Sequence, residues 1–333
     1  MSRMSLGDAS LTNILARQGA DLRAQVSRAS QEVTTERHVD IGQALRGDYS
    51  PLLAVDASLA RLQSYASTTA EAASLTAAQQ AALGSIGAHA LEATGGLLRA
   101  RDFTTAAQVD TLAADLHNKL AGVMGLLNSQ VAGRSIFAGV ATDTAPMGQT
   151  QDLLTALTTA VAGATTAGQV ASAVTTWFSD PGGFQAFYQG GTSLAPVAIA
   201  PGESADLSTT ALDPAIRDTL AGFAMAALLD RGVLAGLPDE RALLAQRGGE
   251  ALLSAGEGRI ALAARIGTVE AQIEDARTRN STEATALGIL RSDTGSVDPY
   301  EASTRLENAR AQLESLYLVT ARVSRLSLVD YLR

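Results

Sequence analysis

Two heptad stripes at opposite ends of the chain limit what it can fold into. Leu11, Leu15, Gln18, Leu22, Gln25 and Ala29 recur at alternating steps of four and three. Ala302, Leu306, Ala309, Leu313, Leu316, Thr320 and Val323 do the same near the other end. Such alternation lays one seam along each helix for a partner helix to cover. Neither seam is apolar enough to stand alone, so each needs the other terminus or a neighbouring subunit. A Gly/Thr-rich segment lies between them, which suggests a chain that leaves and returns.

Composition points the same way. Apolar residues make up 46% of the 333, but alanine supplies much of that and aromatics are only 4%. Thin, Ala-rich helix packing fits better than a thick globular core, because small side chains let helices approach at little entropy cost. The absence of cysteine excludes disulfides, thiol catalysis and Cys-ligated zinc. A net charge of −9 argues against a nucleic-acid partner. Met1 to Asp8 carries no apolar stretch of the Sec-signal kind, so export, if it occurs, is expected to read an uncleaved N-terminus. No apolar run reaches the roughly 18 residues of a membrane span, so no membrane insertion is expected.

The pattern predicts a first helix from Leu6 to Glu36, then a break with turn chemistry at Gly47-Asp48-Tyr49-Ser50-Pro51. A second long helix begins near Leu52 and keeps a heptad step through Val55, Leu59, Leu62, Ala66 and Thr69 to Leu97. A break at Arg101-Asp102-Phe103 leads to a third helix carrying Val109, Leu112, Leu116, Leu120, Val123 and Leu127. From Ser135 to Ile216 there is no Lys or Arg. There, residues 151–173 read as a short helix, and Phe184 to Gly191 and Ala195 to Leu207 as strands. Asp213-Pro214 reads as the N-cap and first residue of a returning helix. The next helix carries Leu262, Ile266, Val269, Ile273, Ala276, Asn280, Glu283, Leu287 and Leu290. A loop from Ser292 to Pro299 precedes the last helix.

Nothing in the chain assembles a nucleophile, base and orienting group. Asp293-Thr294-Gly295-Ser296 spells the aspartic-protease tetrad. That chemistry needs two carboxylates on loops between strands, whereas here there is one copy between helices, which reads as a turn. His38, His89 and His117 have no ligand-spaced partners. The pairs Gly95-Gly96, Gly190-Gly191 and Gly248-Gly249 lack a nucleotide-site context and read as helix breaks and turns. Asn280, at a seam position, is expected to fix register, and Asp275 and Arg279 to pair along one helix face. The reading is mainly α: an elongated antiparallel helical bundle or coiled-coil rod from the N- and C-terminal parts, with a small α+β insert. No enzymatic activity, cofactor or metal is expected.

Three stretches resemble the flagellin superfamily. The first runs from Leu126 through Asn128, Gly133, Arg134, Ile136, Phe137 and Gly139 to Pro146. It is similar to the family's exit from the third helix, with the two glycines releasing the chain and Ile136 and Phe137 anchoring it. The second is Phe187-Tyr188-Gln189-Gly190-Gly191, similar to a tyrosine–glycine strand and turn. The third is the C-terminus, from Asp298 through Leu306 and Leu313 to Leu326-Ser327-Leu328-Val329-Asp330-Tyr331-Leu332, similar to the ending of the family's junction members. Where the family carries an Asp-Asp-Pro turn after the first helix, this chain keeps Asp48 and Pro51.

The resemblance implies a structural, axial protein of the extracellular flagellum, exported unfolded by the flagellar type III route. Its implied partners are the first hook-associated protein, flagellin, copies of itself in a ring, and an export chaperone docking on the C-terminal helix. Filament flagellin is the alternative within the family, and a non-secreted coiled-coil scaffold the alternative outside it. A nested architecture is also implied: residues 1–45 with 291–333 as an inner coiled-coil layer, mobile in the monomer, 46–140 with 212–290 as a helical rod, and 141–211 as an outer insert. Leu11, Leu15, Leu22, Leu306, Leu313, Leu316, Val323 and Leu328 would then form the assembly seams.

Overall fold

The computed structural model describes residues 6–102 and 105–331, with the side chains of residues 6–9, 12 and 324–331 outside the description. The expected break at Phe103 and the seam and motif positions Leu328 and Tyr331 therefore lie outside the described residues or side chains. Two compact units emerge, Met1–Arg61 with Thr282–Arg333, and Leu62–Ser281. The fold is mainly α with two small antiparallel hairpins, as the sequence pattern implies.

In the first unit, α1 (Leu6–Thr35) packs against α9 (Pro299–Tyr331). The pairing is antiparallel. The Cβ position of Gly19 faces Leu316, Glu32 pairs with Arg305 at 3.1 Å, and Val297 N–H donates to the Glu36 carbonyl at 3.0 Å. On α9, Ala302 and Ala309 are buried and Leu306, Leu313, Leu316, Thr320 and Val323 are half-buried, at the spacing the sequence predicts. On α1 the seam differs from the prediction. It runs through Leu15, Gly19, Leu22, Val26, Ala29 and Val33, while Leu11, Gln18 and Gln25 are exposed. Two heptad registers share Leu15, Leu22 and Ala29, and packing selects the one that puts Gly and Val, not Gln, under the partner helix.

One end of this pair is pinned by backbone. His38 N–H donates to the Gly295 carbonyl at 3.1 Å, and Arg37 bridges Ser296, which ties the α1 exit to the loop before α9. The predicted turn at Asp293 to Ser296 is the last turn of α8 (Pro238–Gly295), closed by the Ser296 hydroxyl donating to the Asp293 carbonyl at 2.9 Å. After the first helix, Asp40 caps the short α2 (Ile41–Ala44), and α3 (Ser50–Leu98) begins beside Pro51.

The second unit holds most of α3, together with α4 (Ala106–Leu127), α5 (Thr150–Ala160), α6 (Ala167–Ser179), α7 (Pro214–Ala227) and most of α8. These share one apolar core, with Leu97, Leu116, Leu127, Phe137, Leu153, Phe184, Phe223 and Leu252 fully or almost fully buried. Buried threonines on α3 are tolerated because their hydroxyls return to the preceding turn, as Thr76 does to Ala72 at 3.1 Å. Gly248 and Gly249 are no helix break. They sit within α8, where a Cβ on Gly249 would lie 2.8 Å from that of Leu97. Gly95 and Gly96 likewise lie inside α3.

The middle of the chain departs from expectation in several places. Residues 151–173 form two helices, α5 and α6, broken at Gly163 with φ +87. Phe184 to Gly191 forms no strand. Asp180 caps a wide helical turn at Pro181–Gln185, and Trp177, Phe178, Phe184 and Phe187 gather there, with Trp177 edge-on to Phe178 and Phe184 and the other pairs tilted. That cluster needs aromatics on one side of a turn, which an alternating strand does not give. The strand expected over Ala195 to Leu207 is present as a hairpin of β3 (Val197–Ala200) and β4 (Glu203–Ala205) that turns at Pro201-Gly202.

The α8 stripe holds from Leu262 to Asn280. It then passes through Ala284 in place of Glu283, and Leu290 is exposed. Asn280 is buried, and its amide donates to the Ile199 carbonyl of β3 at 2.7 Å, so it holds the hairpin rather than a helix register. Arg279 pairs with Glu203 at 2.6 Å, not with Asp275, and Arg265 pairs with Asp213 at 2.6 Å.

Gly19 offers a direct stability test. Its Cβ position meets Leu316 and Arg23 only at 3.6 Å, ordinary contact. Gly19→Ala is expected to stabilise the α1–α9 pair by about 1 kcal/mol through helix propensity, read as a gain in helical signal on thermal unfolding.

Candidate assembly surfaces

The exit motif folds as a connected unit. Asn128 ends α4, and its side chain makes two hydrogen bonds to Met147, donating to the carbonyl at 3.0 Å and accepting from the N–H at 2.8 Å. The amide thereby imitates one rung of a sheet and holds the outgoing chain to the segment before α5. A hairpin follows, β1 (Gln130–Val131) with β2 (Arg134–Ser135), turning through Ala132 and Gly133 at φ +51 and +76. Two adjacent positive φ values give the primed turn that matches strand twist. Arg134 points outward to Glu71 at 3.4 Å.

Beyond the hairpin, Ile136 and Phe137 are buried, as the resemblance implies. The second motif closes on them. Tyr188 donates its hydroxyl towards the Phe137 and Gly191 carbonyls at 3.3 and 3.2 Å, and Gly191 N–H donates to the Ala138 carbonyl at 2.8 Å. Burial pushes the Tyr188 phenol above its ordinary pKa. Gly139 has φ +61, and a Cβ there would lie 2.1 Å from the Thr192 carbonyl oxygen. Gly190 lies so close to the Tyr188 hydroxyl that a side chain has no room. Two motifs separate in sequence are thus one packed structure.

Gln79 was not singled out in the sequence, yet it joins this structure to the returning chain. Its buried amide donates to the Ile136 carbonyl at 2.7 Å and the Thr209 carbonyl at 3.3 Å, and Ala211 N–H donates to the Phe137 carbonyl at 3.0 Å. One side chain of α3 therefore clamps the chain as it leaves and as it comes back. No local pattern marks it, because its partners lie 57 and 130 residues away.

In the terminal unit the seam is only half covered. Leu15, Leu22, Leu306, Leu313, Leu316 and Val323 keep part of their surface in water. A fully buried Leu contributes about 1.5–3 kcal/mol, so half burial forgoes a large part of that. Leu11, Ile14, Tyr317, Leu318 and Val319 are exposed beside it. Among the described residues no cluster of His, Cys, Asp or Glu has the geometry of a metal site, and no helix is long and apolar enough to cross a membrane. His117 instead meets Asp230 at 2.8 Å, and His38 lies 3.7 Å from Glu32.

The chain thus leaves a helical body through a hairpin, and its terminal helices α1 and α9 pair with each other. Residues 258–332 match the model of the bacterial flagellin C-terminal helical region, and the resemblance to the flagellin superfamily is borne out over that region. The structure of FlgL from Bacillus cereus is similar at 15% identity and a TM-score of 0.51, over 72% of this chain and 100% of that one. A Vibrio parahaemolyticus protein assigned as a flagellar hook-associated protein is similar at 15% identity and a TM-score of 0.53, over 75% and 99%. No curated protein matches by sequence.

Two substitutions test the exit. Gln79→Leu strands two buried carbonyls and is expected to cost about 2 kcal/mol or more, measured by denaturant unfolding. Gly139→Ala forces both a positive φ and a backbone clash, so it is expected to cost well over the roughly 1–2 kcal/mol of Gly133→Ala, which meets open space.

Proposed function

We infer that this chain is a structural protein of the bacterial flagellum that joins the hook to the flagellin filament. The observation that carries this reading is the half-covered terminal seam, whose α9 side lies within the region matching the flagellin C-terminal helices. A seam of that kind gains burial only when further helices surround it, which suits subunits that stack in a tube. The likeness to FlgL and to a hook-associated protein favours the junction over the filament.

On this reading the first hook-associated protein lies on one side, flagellin on the other, and copies of the chain form a ring between them. The chain reaches the cell exterior through the flagellar type III route, with a chaperone on the C-terminal helix until export. Residues 1–45 with 291–333 form the inner layer, 46–140 with 212–290 the rod, and 141–211 the outward insert. Leu15, Leu22, Leu306, Leu313, Leu316, Val323 and Leu328 make the axial contacts. Leu11, exposed beside the α1–α9 seam, is free to meet a neighbour directly. Ordering of the termini is coupled to assembly.

Deletion in the source bacterium tests the role. Electron microscopy is expected to show hooks without filaments, with free flagellin in the spent medium. Absence of both filament and secreted flagellin would make the chain the filament subunit itself. Unaltered flagella would contradict both.

A further inference from the structure

One face of the second unit is bare. Between α3 and α8 runs an apolar groove of about 550 Å³, lined by Leu83, Gly84, Leu91, Leu252, Leu253 and Ile260 among others. Its rims are large apolar side chains that face water: Leu91 is 77% exposed, Ile260 71% and Leu253 62%. The one charged residue of the lining, Arg259, is engaged within the chain, donating to the Thr219 hydroxyl at 2.9 Å and the Leu252 carbonyl at 3.3 Å.

On its α3 side the groove belongs to an exposed heptad. Ala77, Ala81, Gly84, Ala88, Leu91, Gly95 and Leu98 alternate by four and three, and all are exposed. The stripe carries no charge, in a chain whose net charge is −9. A Cβ at Gly84, Gly87 or Gly95 would meet nothing within 4 Å among the described residues. Glycine weakens a helix interior, so these three need a reason that the single chain does not contain. A second helix lying close against α3 supplies one.

The order of sizes along the stripe names that helix. The first half is small throughout, and both leucines lie in the second half. An antiparallel copy, related by a two-fold near Ala88, sets Leu91 and Leu98 of each chain over Ala77, Ala81 and Gly84 of the other. A parallel copy would set leucine on leucine and leave a gap beside Gly84. The stripe is about 33 Å long and two packed helices are about 20 Å wide, so such a pairing covers about 1,300 Å² in total, within the roughly 1,200–2,000 Å² of stable interfaces. We propose that two copies of this chain pair through the α3–α8 face, antiparallel about that two-fold, with Leu91 of each seated in the groove of the other. A two-fold contact closes on itself, whereas ring contacts run head to tail. The pairing is therefore separate from the ring and does not rest on the flagellar reading.

The chain has no cysteine, so single introduced ones report the geometry in the full-length protein. Ala88→Cys lies at the two-fold and is expected to form an inter-chain disulfide with oxidised glutathione as oxidant. Leu98→Cys is expected not to, because its two copies would lie about 30 Å apart. Sedimentation of the unaltered chain at about 50 µM is expected to give twice the 34.2 kDa of one chain, since interfaces of this size bind at micromolar strength or tighter. Leu91→Glu, at a side chain already in water, is expected to return the monomer with unchanged helical signal. Leu313→Glu, in the terminal seam, is expected to leave the pair intact. The proposal is overturned if the unaltered chain is a monomer at that concentration, if Leu91→Glu stays paired, or if Leu98→Cys cross-links in place of Ala88→Cys. Loss of the pair in Leu313→Glu but not in Leu91→Glu would move the contact to the termini and equally overturn it.

Discussion

The paired helices α1 and α9 do not bury their heptad seam by themselves. Each covers a single stripe of the other, and the flanks of every Leu stay in water. In this chain Ala302, Ala309 and Ala29 are covered, whereas Leu15, Leu22, Leu306, Leu313 and Leu316 are not fully so. The small residues set how closely the helices approach, and the large ones are left waiting for more helix. Everything at the termini depends on that shortfall. A chain that needs only to be stable alone would place its leucines where the alanines are.

The second unit solves the opposite problem. There the chain must leave a helical body, build an excursion and return without exposing its backbone. It does so by pairing polar groups one by one. Asn128 takes both backbone groups of Met147, Gln79 takes the Ile136 and Thr209 carbonyls, and Tyr188 and Ala211 share the Phe137 carbonyl. Buried backbone groups have to be paired, and here side-chain amides replace the missing sheet.

Legibility followed the locality of the physics. The α9 seam could be read residue by residue because only one register puts Ala and Leu on a single face. The α1 seam offered two registers sharing Leu15, Leu22 and Ala29, and only the partner helix decides for Gly19 and Val26 over Gln18 and Gln25. Asn128, Gly139 and Tyr188 were visible through their motifs. Gln79 was not, since its role exists only once distant segments meet. The strand expected at Phe184 to Gly191 failed because aromatic residues read as strand formers, while here Trp177 and its neighbours gather them around a turn.

The most direct test of the central claim is amide hydrogen exchange over residues 13–33 and 302–323, in the purified chain and in isolated hook–filament assemblies. The account predicts fast exchange in the purified chain, well short of the protection of α4 and α7, and strong protection after assembly. Full protection of both segments in the purified chain, unchanged on assembly, would contradict it.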